Sequence, residues 1–346
     1  MSWMRLIVQL YKVVNFASNR PLKLDQYEKN IKIELLDLMS RSWRIQEVLM
    51  AKRLFLLFGV NILIVATLGI TLTLLQSFGI IPPIGESYQG LFIFCLFWGT
   101  GGAFINLMIS KFLAKKMMGV RILDPKGSGS EIVQKVHALA RRAGLETMPE
   151  VGVYESPEVN AFATGPSRSN SLVAVSSGLL NQMSAEETEG VLAHEVAHIA
   201  NGDMVTMTLV QGVMNAFVMF AARVVASVIN NAMRDEEGNG GLGFFAYFGV
   251  VMVLDVLFGI LAAPVVAGFS RWREFRADNG GARLAGKDKM IAALEALQRN
   301  VERIDNSTDQ KAFQSMKITN KSGLAALFST HPPLAQRIET LRKKPL

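Results

Sequence analysis

The chain has 346 residues, with 36 Lys and Arg against 29 Asp and Glu, 4 His and a single Cys; half of its residues are apolar and 19% are charged. That balance excludes an intrinsically disordered chain and a nucleic-acid-binding tail. The lone Cys95 excludes an intrachain disulfide and a thiolate zinc site, so any metal must be held by His and carboxylate.

The apolar residues gather in long uncharged runs, as in a membrane protein, where the +7 surplus belongs beside cytoplasmic helix ends and calls for no nucleic acid. Residues 1–49 are polar and mixed in charge, and Met50-Ala51-Lys52-Arg53 after them reads as a natural start. The first 49 residues are therefore expected to be non-native or dispensable, although Ile31, Leu35, Leu38 and Ile45 have the spacing of an interfacial helix.

Four spans follow, at about 54–75, 90–110, 204–229 and 244–270, each long enough to cross a core about 30 Å thick at about 1.5 Å per residue. Lys52 and Arg53 precede the first span, residues 76–89 hold no Lys or Arg, and Lys111, Lys115 and Lys116 follow the second. Arg271, Arg273 and Arg276 follow the fourth, so every basic cluster falls on one side, which the positive-inside tendency makes cytoplasmic. Asp255 and Asn215 each stand 11 residues into their spans from opposite sides, which predicts a hydrogen bond between them, with Arg223 snorkelling to the outer interface.

Between the two membrane hairpins, Ser130–Ala143 repeats apolar residues at helical spacing and stops at Gly144. Three β-prone runs come next, Val151–Tyr154, Asn160–Thr164 and Ser171–Val175, and predict a small antiparallel sheet. Ser184 and Glu187 have capping-box spacing and open a helix that runs through His198. The fold class is a mainly α membrane protein with four transmembrane helices and a cytoplasmic α+β domain. Its organisation is a 1–49 arm, a 50–113 hairpin, a 114–203 soluble segment, a 204–270 hairpin and a 271–346 helical segment that completes the site.

His194-Glu195-Val196-Ala197-His198 carries the chemistry. Residues four apart on a helix project from nearly one face, so the two imidazoles can share a tetrahedral metal, while Glu195, about 100° round, can take a proton from the attacking water. With 4 His and 19 Glu in 346 residues, chance supplies this pattern roughly 0.003 times. A catalytic zinc needs a third protein ligand, for which His137, His331 and several carboxylates are available. Glu274 is favoured because its helix returns to the membrane face where the His helix enters. Asp278, one turn on, could accept a hydrogen bond from a ligating imidazole.

Taken with Glu274-Phe275-Arg276-Ala277-Asp278, Asn160-Ala161-Phe162-Ala163-Thr164-Gly165 and His331-Pro332-Pro333, the motif resembles the HtpX-type membrane-anchored zinc proteases, heat-shock relatives of the CAAX-prenyl-protein proteases. The resemblance covers about residues 50–344 and implies a gluzincin fold with one Zn2+ per chain on His194, His198 and Glu274, and Glu195 as the base. It further implies quality control of misfolded membrane proteins in a bacterial inner membrane, with polypeptide substrates, a lipid bilayer and no nucleic acid as partners.

The expected reaction is metal-assisted peptide hydrolysis. Asn160, Ala161, Phe162 and Ala163 would form an edge strand to which an extended substrate adds, and His331, ahead of two prolines, would donate to the oxyanion or simply pack. Two other readings stand beside this one: an intramembrane-cleaving protease, and a scaffold whose structural zinc takes His331 as its closing ligand.

Overall fold

A computed structural model describes Phe78 and residues 88–127, 129–235, 240–307 and 327–344. The chain divides into two units, Met1–Pro83 and Ile84–Leu346, and every element below belongs to the second. The 1–49 arm and the first expected span, 54–75, lie outside the described residues.

Three of the helices, α1 (Tyr88–Met117), α5 (Asp203–Ala232) and α6 (Phe244–Ala285), are long and apolar enough to cross a membrane. They contain the expected spans 90–110, 204–229 and 244–270, and all three overrun those bounds, α1 and α6 by the most. A hydropathy run ends where charge begins, whereas a helix ends where its backbone is broken. Lys111–Met117, rich in Lys, Leu and Ala, extends α1 past its apolar part by propensity, whereas Arg271–Ala285 includes Asn279, Gly280 and Gly281 and is held helical by its packing on α4; Gly119 and Gly286, both at positive φ, follow the two ends.

The expected bond between Asn215 and Asp255 does not form. Asn215 accepts a hydrogen bond from Gln211 one turn back in its own helix, at 2.9 Å, and Asp255 instead faces Arg223, whose Nη1 lies 3.9 Å from Oδ1. The Arg223 head is turned toward Asp255, and the pair is largely enclosed, with side chains 11% (Arg223) and 23% (Asp255) exposed. The expectation measured Arg223 from Met204 over a core of about 30 Å, but α5 runs on to Ala232. Counted from the far ends of α5 and α6, Arg223 is 9 residues deep and Asp255 11, about 14 and 16 Å.

The soluble part is built on a four-stranded sheet in the order β1-β2-β4-β3, with β1 Arg121–Ile122, β2 Glu150–Tyr154, β3 Ala161–Ser167 and β4 Asn170–Ser176. It is mixed rather than antiparallel, since β2 and β4 run parallel with Glu150 opposite Leu172. Composition explains the order. Leu172, Val173, Ala174 and Val175 are fully buried and suit an inner strand, whereas Pro166 has no N–H for a ladder and keeps β3 on the outside.

Helices α2 (Ser130–Arg142) and α4 (Ala185–Asn201) cover one face of this sheet, with Val136 and Leu139 of α2 and Leu192, Val196 and Ile199 of α4 packed against Val173 and Val175. The capping box at Ser184 and Glu187 opens α4 as its spacing predicts. The short α3 (Ser177–Gln182) precedes α4, while α7 (Lys287–Ser307) and α8 (Leu334–Lys343) complete the order, with Met290 and Leu294 of α7 packed against Ile338 and Leu341 of α8.

Candidate metal centre

His194 and His198 stand one turn apart on α4 with their rings nearly perpendicular and centroids 4.6 Å apart. Helix α6 brings Glu274 against them because it can approach α4 closely at Gly280. A Cβ there would lie 2.7 Å from the Ala197 Cβ, closer than two such atoms can stand, so a glycine is needed for this packing. Glu274 is 1% exposed and both histidines are buried.

The three side chains close a triangle in which each histidine meets its own oxygen of Glu274. The two Nε2 atoms are 3.1 Å apart, His194 Nε2 lies 3.5 Å from Glu274 Oε2, and His198 Nε2 lies 3.4 Å from Glu274 Oε1. A tetrahedral zinc with bonds of about 2.0–2.1 Å spaces its donors about 3.3–3.4 Å apart, so these residues could hold one.

The far side of each imidazole completes the test. His194 Nδ1 lies 3.0 Å from Asp278 Oδ1, and His198 Nδ1 lies 2.7 Å from Asp203 Oδ2. A ring nitrogen on a carboxylate carries the proton, so in the neutral rings both Nε2 lone pairs and the Glu274 carboxylate converge on one point with no donor among them. Only protons or a cation can occupy such a point. Without metal, the protons stay. Burial alone would depress His194, but its hydrogen bonds to Asp278 and Glu274 outweigh that and hold it up at about 9. His198 is likewise raised, burial being outweighed by Asp203 and Glu274. Burial pushes Glu274 upward, yet the three histidines around it hold it far below the usual carboxylate range.

Two of the residues behind the triangle carry no motif of their own. Gly202 ends α4 in the left-handed conformation at φ 71°, the chain turns there, and Asp203 as the first residue of α5 is swung back under His198. Arg337 on α8 is buried and forks onto Asp278, with Nη2 at 2.6 Å and Nε at 2.8 Å, while its Nη1 lies 3.4 Å from Glu274 Oε2. The signal for Asp203 was an acid just past a helix-ending glycine five residues after a histidine; Arg337 gave none beyond its place after His331-Pro332-Pro333.

Glu195 sits half-buried on α4 beside the triangle. His331 touches Glu274, Nδ1 to Oε2 at 3.0 Å, with its side chain 63% exposed. His137 is apart from the centre, its Nε2 3.1 Å from the Pro149 carbonyl. Ala161, Phe162 and Ala163 lie in β3 opposite Val175, Ala174 and Val173, and Asn160 leads into the strand; the outer edge of β3 has no strand beside it among the described residues.

Residues 128–344 match the model of peptidase family M48. The chain belongs to that family. Protease HtpX of Shewanella loihica is 54% identical over 295 residues, covering 84% of this chain and 99% of the relative. Protease HtpX of Shewanella putrefaciens is 52% identical over 297 residues, covering 85% of this chain and 100% of the relative. Among solved structures, the crystal structure of S. mikatae Ste24p is similar with a TM-score of 0.57 at 20% identity over 84% of this chain. This chain spans 64% of that protein's length, and the likeness bears on the fold alone. As an M48 member with apolar helices long enough for a bilayer, the protein is a membrane-associated metallopeptidase.

Proposed function

We propose that the protein is a zinc-dependent endopeptidase that cleaves polypeptides at the cytoplasmic face of a bacterial inner membrane, in quality control of misfolded membrane proteins. The observation that carries the reading is the convergence of His194 Nε2, His198 Nε2 and the Glu274 carboxylate, with mutual contacts of 3.1–3.5 Å and both outer ring nitrogens on carboxylates. The site lies outside the apolar stretches 204–229 and 244–270, on α4, the first residue of α5 and the charged C-terminal part of α6, which supports cleavage outside the bilayer. The basic residues that follow the spans support the cytoplasmic side. The proposal keeps the organisation read from the sequence: a dispensable arm at 1–49, membrane hairpins at 50–113 and 204–270, a protease segment at 114–203 and a completing helical segment at 271–346.

Zinc on His194, His198 and Glu274 would polarise the scissile carbonyl and make the attacking water more acidic. Glu195 takes the proton of that water and returns it to the departing amine. Asp203 and Asp278 hold the imidazoles in the orientation that points Nε2 inward, and Arg337 keeps Asp278 in place. His331, the exposed group over Glu274, donates to the oxyanion. Asn160, Ala161, Phe162 and Ala163 offer the open edge of β3 to an extended substrate, whose main chain adds as a further strand.

The test uses the full chain purified in detergent and an unfolded soluble protein as substrate. A chelator should abolish cleavage and added zinc restore it, and Glu274→Ala should fail to retain the metal. Cleavage unaffected by metal removal would sink the proposal.

A further inference from the structure

One stripe of α6 meets the C-terminal segment in chain order. Arg271, Glu274 and Asp278 stand at i, i+3 and i+7 and so share a face of the helix. Arg271 Nη1 donates to the carbonyls of Leu327 and Ser329, at 3.1 and 2.7 Å. Glu274 meets His331, and Asp278 takes the fork of Arg337.

Two of these rungs belong to the metal centre; the Arg271 rung does not, and it acts on the loop that carries His331. A side chain 63% exposed is not held by packing, so the place of His331 over Glu274 has to be set by the backbone on either side. On its C-terminal side, Pro332 and Pro333 stiffen the chain and Arg337 anchors α8 to Asp278. On its N-terminal side, Arg271 gathers two carbonyls onto one nitrogen, and the Ser329 hydroxyl then donates to the His331 carbonyl at 2.6 Å. A continuous chain of hydrogen bonds thus leads from Arg271 through Ser329 to the backbone of His331.

We infer that Arg271 is a positioning residue for His331: by tethering the 327–329 carbonyls to α6 it holds the imidazole where the reaction needs it. The inference rests on the proposed role of His331 and adds the residue through which that role is controlled. Arg271 stands one turn before the zinc-binding Glu274 on a single rigid helix, so the tether ties the donor to the same element that carries the ligand.

A double-mutant cycle on the full chain, purified in detergent and loaded with zinc, tests this. H331A should lower kcat by about 100-fold with KM little changed, and R271A by about 10-fold or more. The R271A/H331A double variant should be no slower than H331A within about twofold, because a tether with nothing to position has no further effect. Zinc content should match wild type in all three, and R271K, which keeps a cationic donor on a shorter and more flexible stem, should recover part of the kcat lost in R271A. If R271A does not accumulate, R271K takes its place in the cycle under the same rule. Losses that multiply in the double variant, or a fully active R271A beside an impaired H331A, would overturn the inference while leaving the role of His331 standing. Full activity of H331A would remove that role and the inference with it.

Discussion

His198 is oriented by a residue outside the His-Glu-x-x-His motif. Asp203 holds its Nδ1 at 2.7 Å in a buried setting, so Asp203→Ala leaves a ring N–H with no carboxylate partner and frees the imidazole to turn. Zinc affinity should fall by about 10–100-fold, measured by competition with a chromogenic chelator, while the half-buried Glu195 remains. Protonation gives a second test at this scale. In the metal-free protein His194 is held up at about 9, above the 6.5 of an unperturbed imidazole. A raised folded-state value means that protonation favours the fold, so its contribution is full below about pH 6.5 and is lost as pH climbs through about 9. Chelator-stripped protein should therefore melt at falling temperatures between pH 6.5 and 9, and zinc uptake near pH 7 should release protons into a weakly buffered solution.

Glu274 reaches α4 only because two helices pack without a side chain between them. Gly280→Val puts a branched side chain where even its Cβ would be 2.7 Å from that of Ala197, and α6 has to move outward. The overpacking should cost about 1–3 kcal/mol of stability. Since α6 also carries Glu274 and Asp278, zinc retention should drop with it. Thermal unfolding in detergent and metal analysis of the same preparation check both effects. Elements were legible in the sequence where one local signal decides them. The Ser184–Glu187 cap opened α4, and apolar runs located α1, α5 and α6. Sheet order was not, because it depends on which strand tolerates burial on both faces, and the partner of Asp255 depended on where α5 ends rather than on where its apolar part ends.

Across the whole molecule, the centre joins residues that are remote in the chain: His194 and His198 on α4, Asp203 on α5, Glu274 and Asp278 on α6, and Arg337 on α8. Spacing alone exposed the two histidines and Glu195, since all three lie within one and a half turns of a single helix. Glu274 was singled out by its place after a span and by the company of Asp278. Arg337 meets Asp278 across 59 residues and could be found only by folding the chain. The central claim is that this assembly is a metallopeptidase centre in which Glu195 moves the proton. The most direct measurement is the zinc content and the cleavage of an unfolded protein by Glu195→Gln beside wild type. The side chain is nearly isosteric and ligates nothing in this account, so zinc should stay at one per chain while cleavage falls by about 100–10,000-fold. A variant that keeps its zinc and cleaves at the wild-type rate would contradict the account.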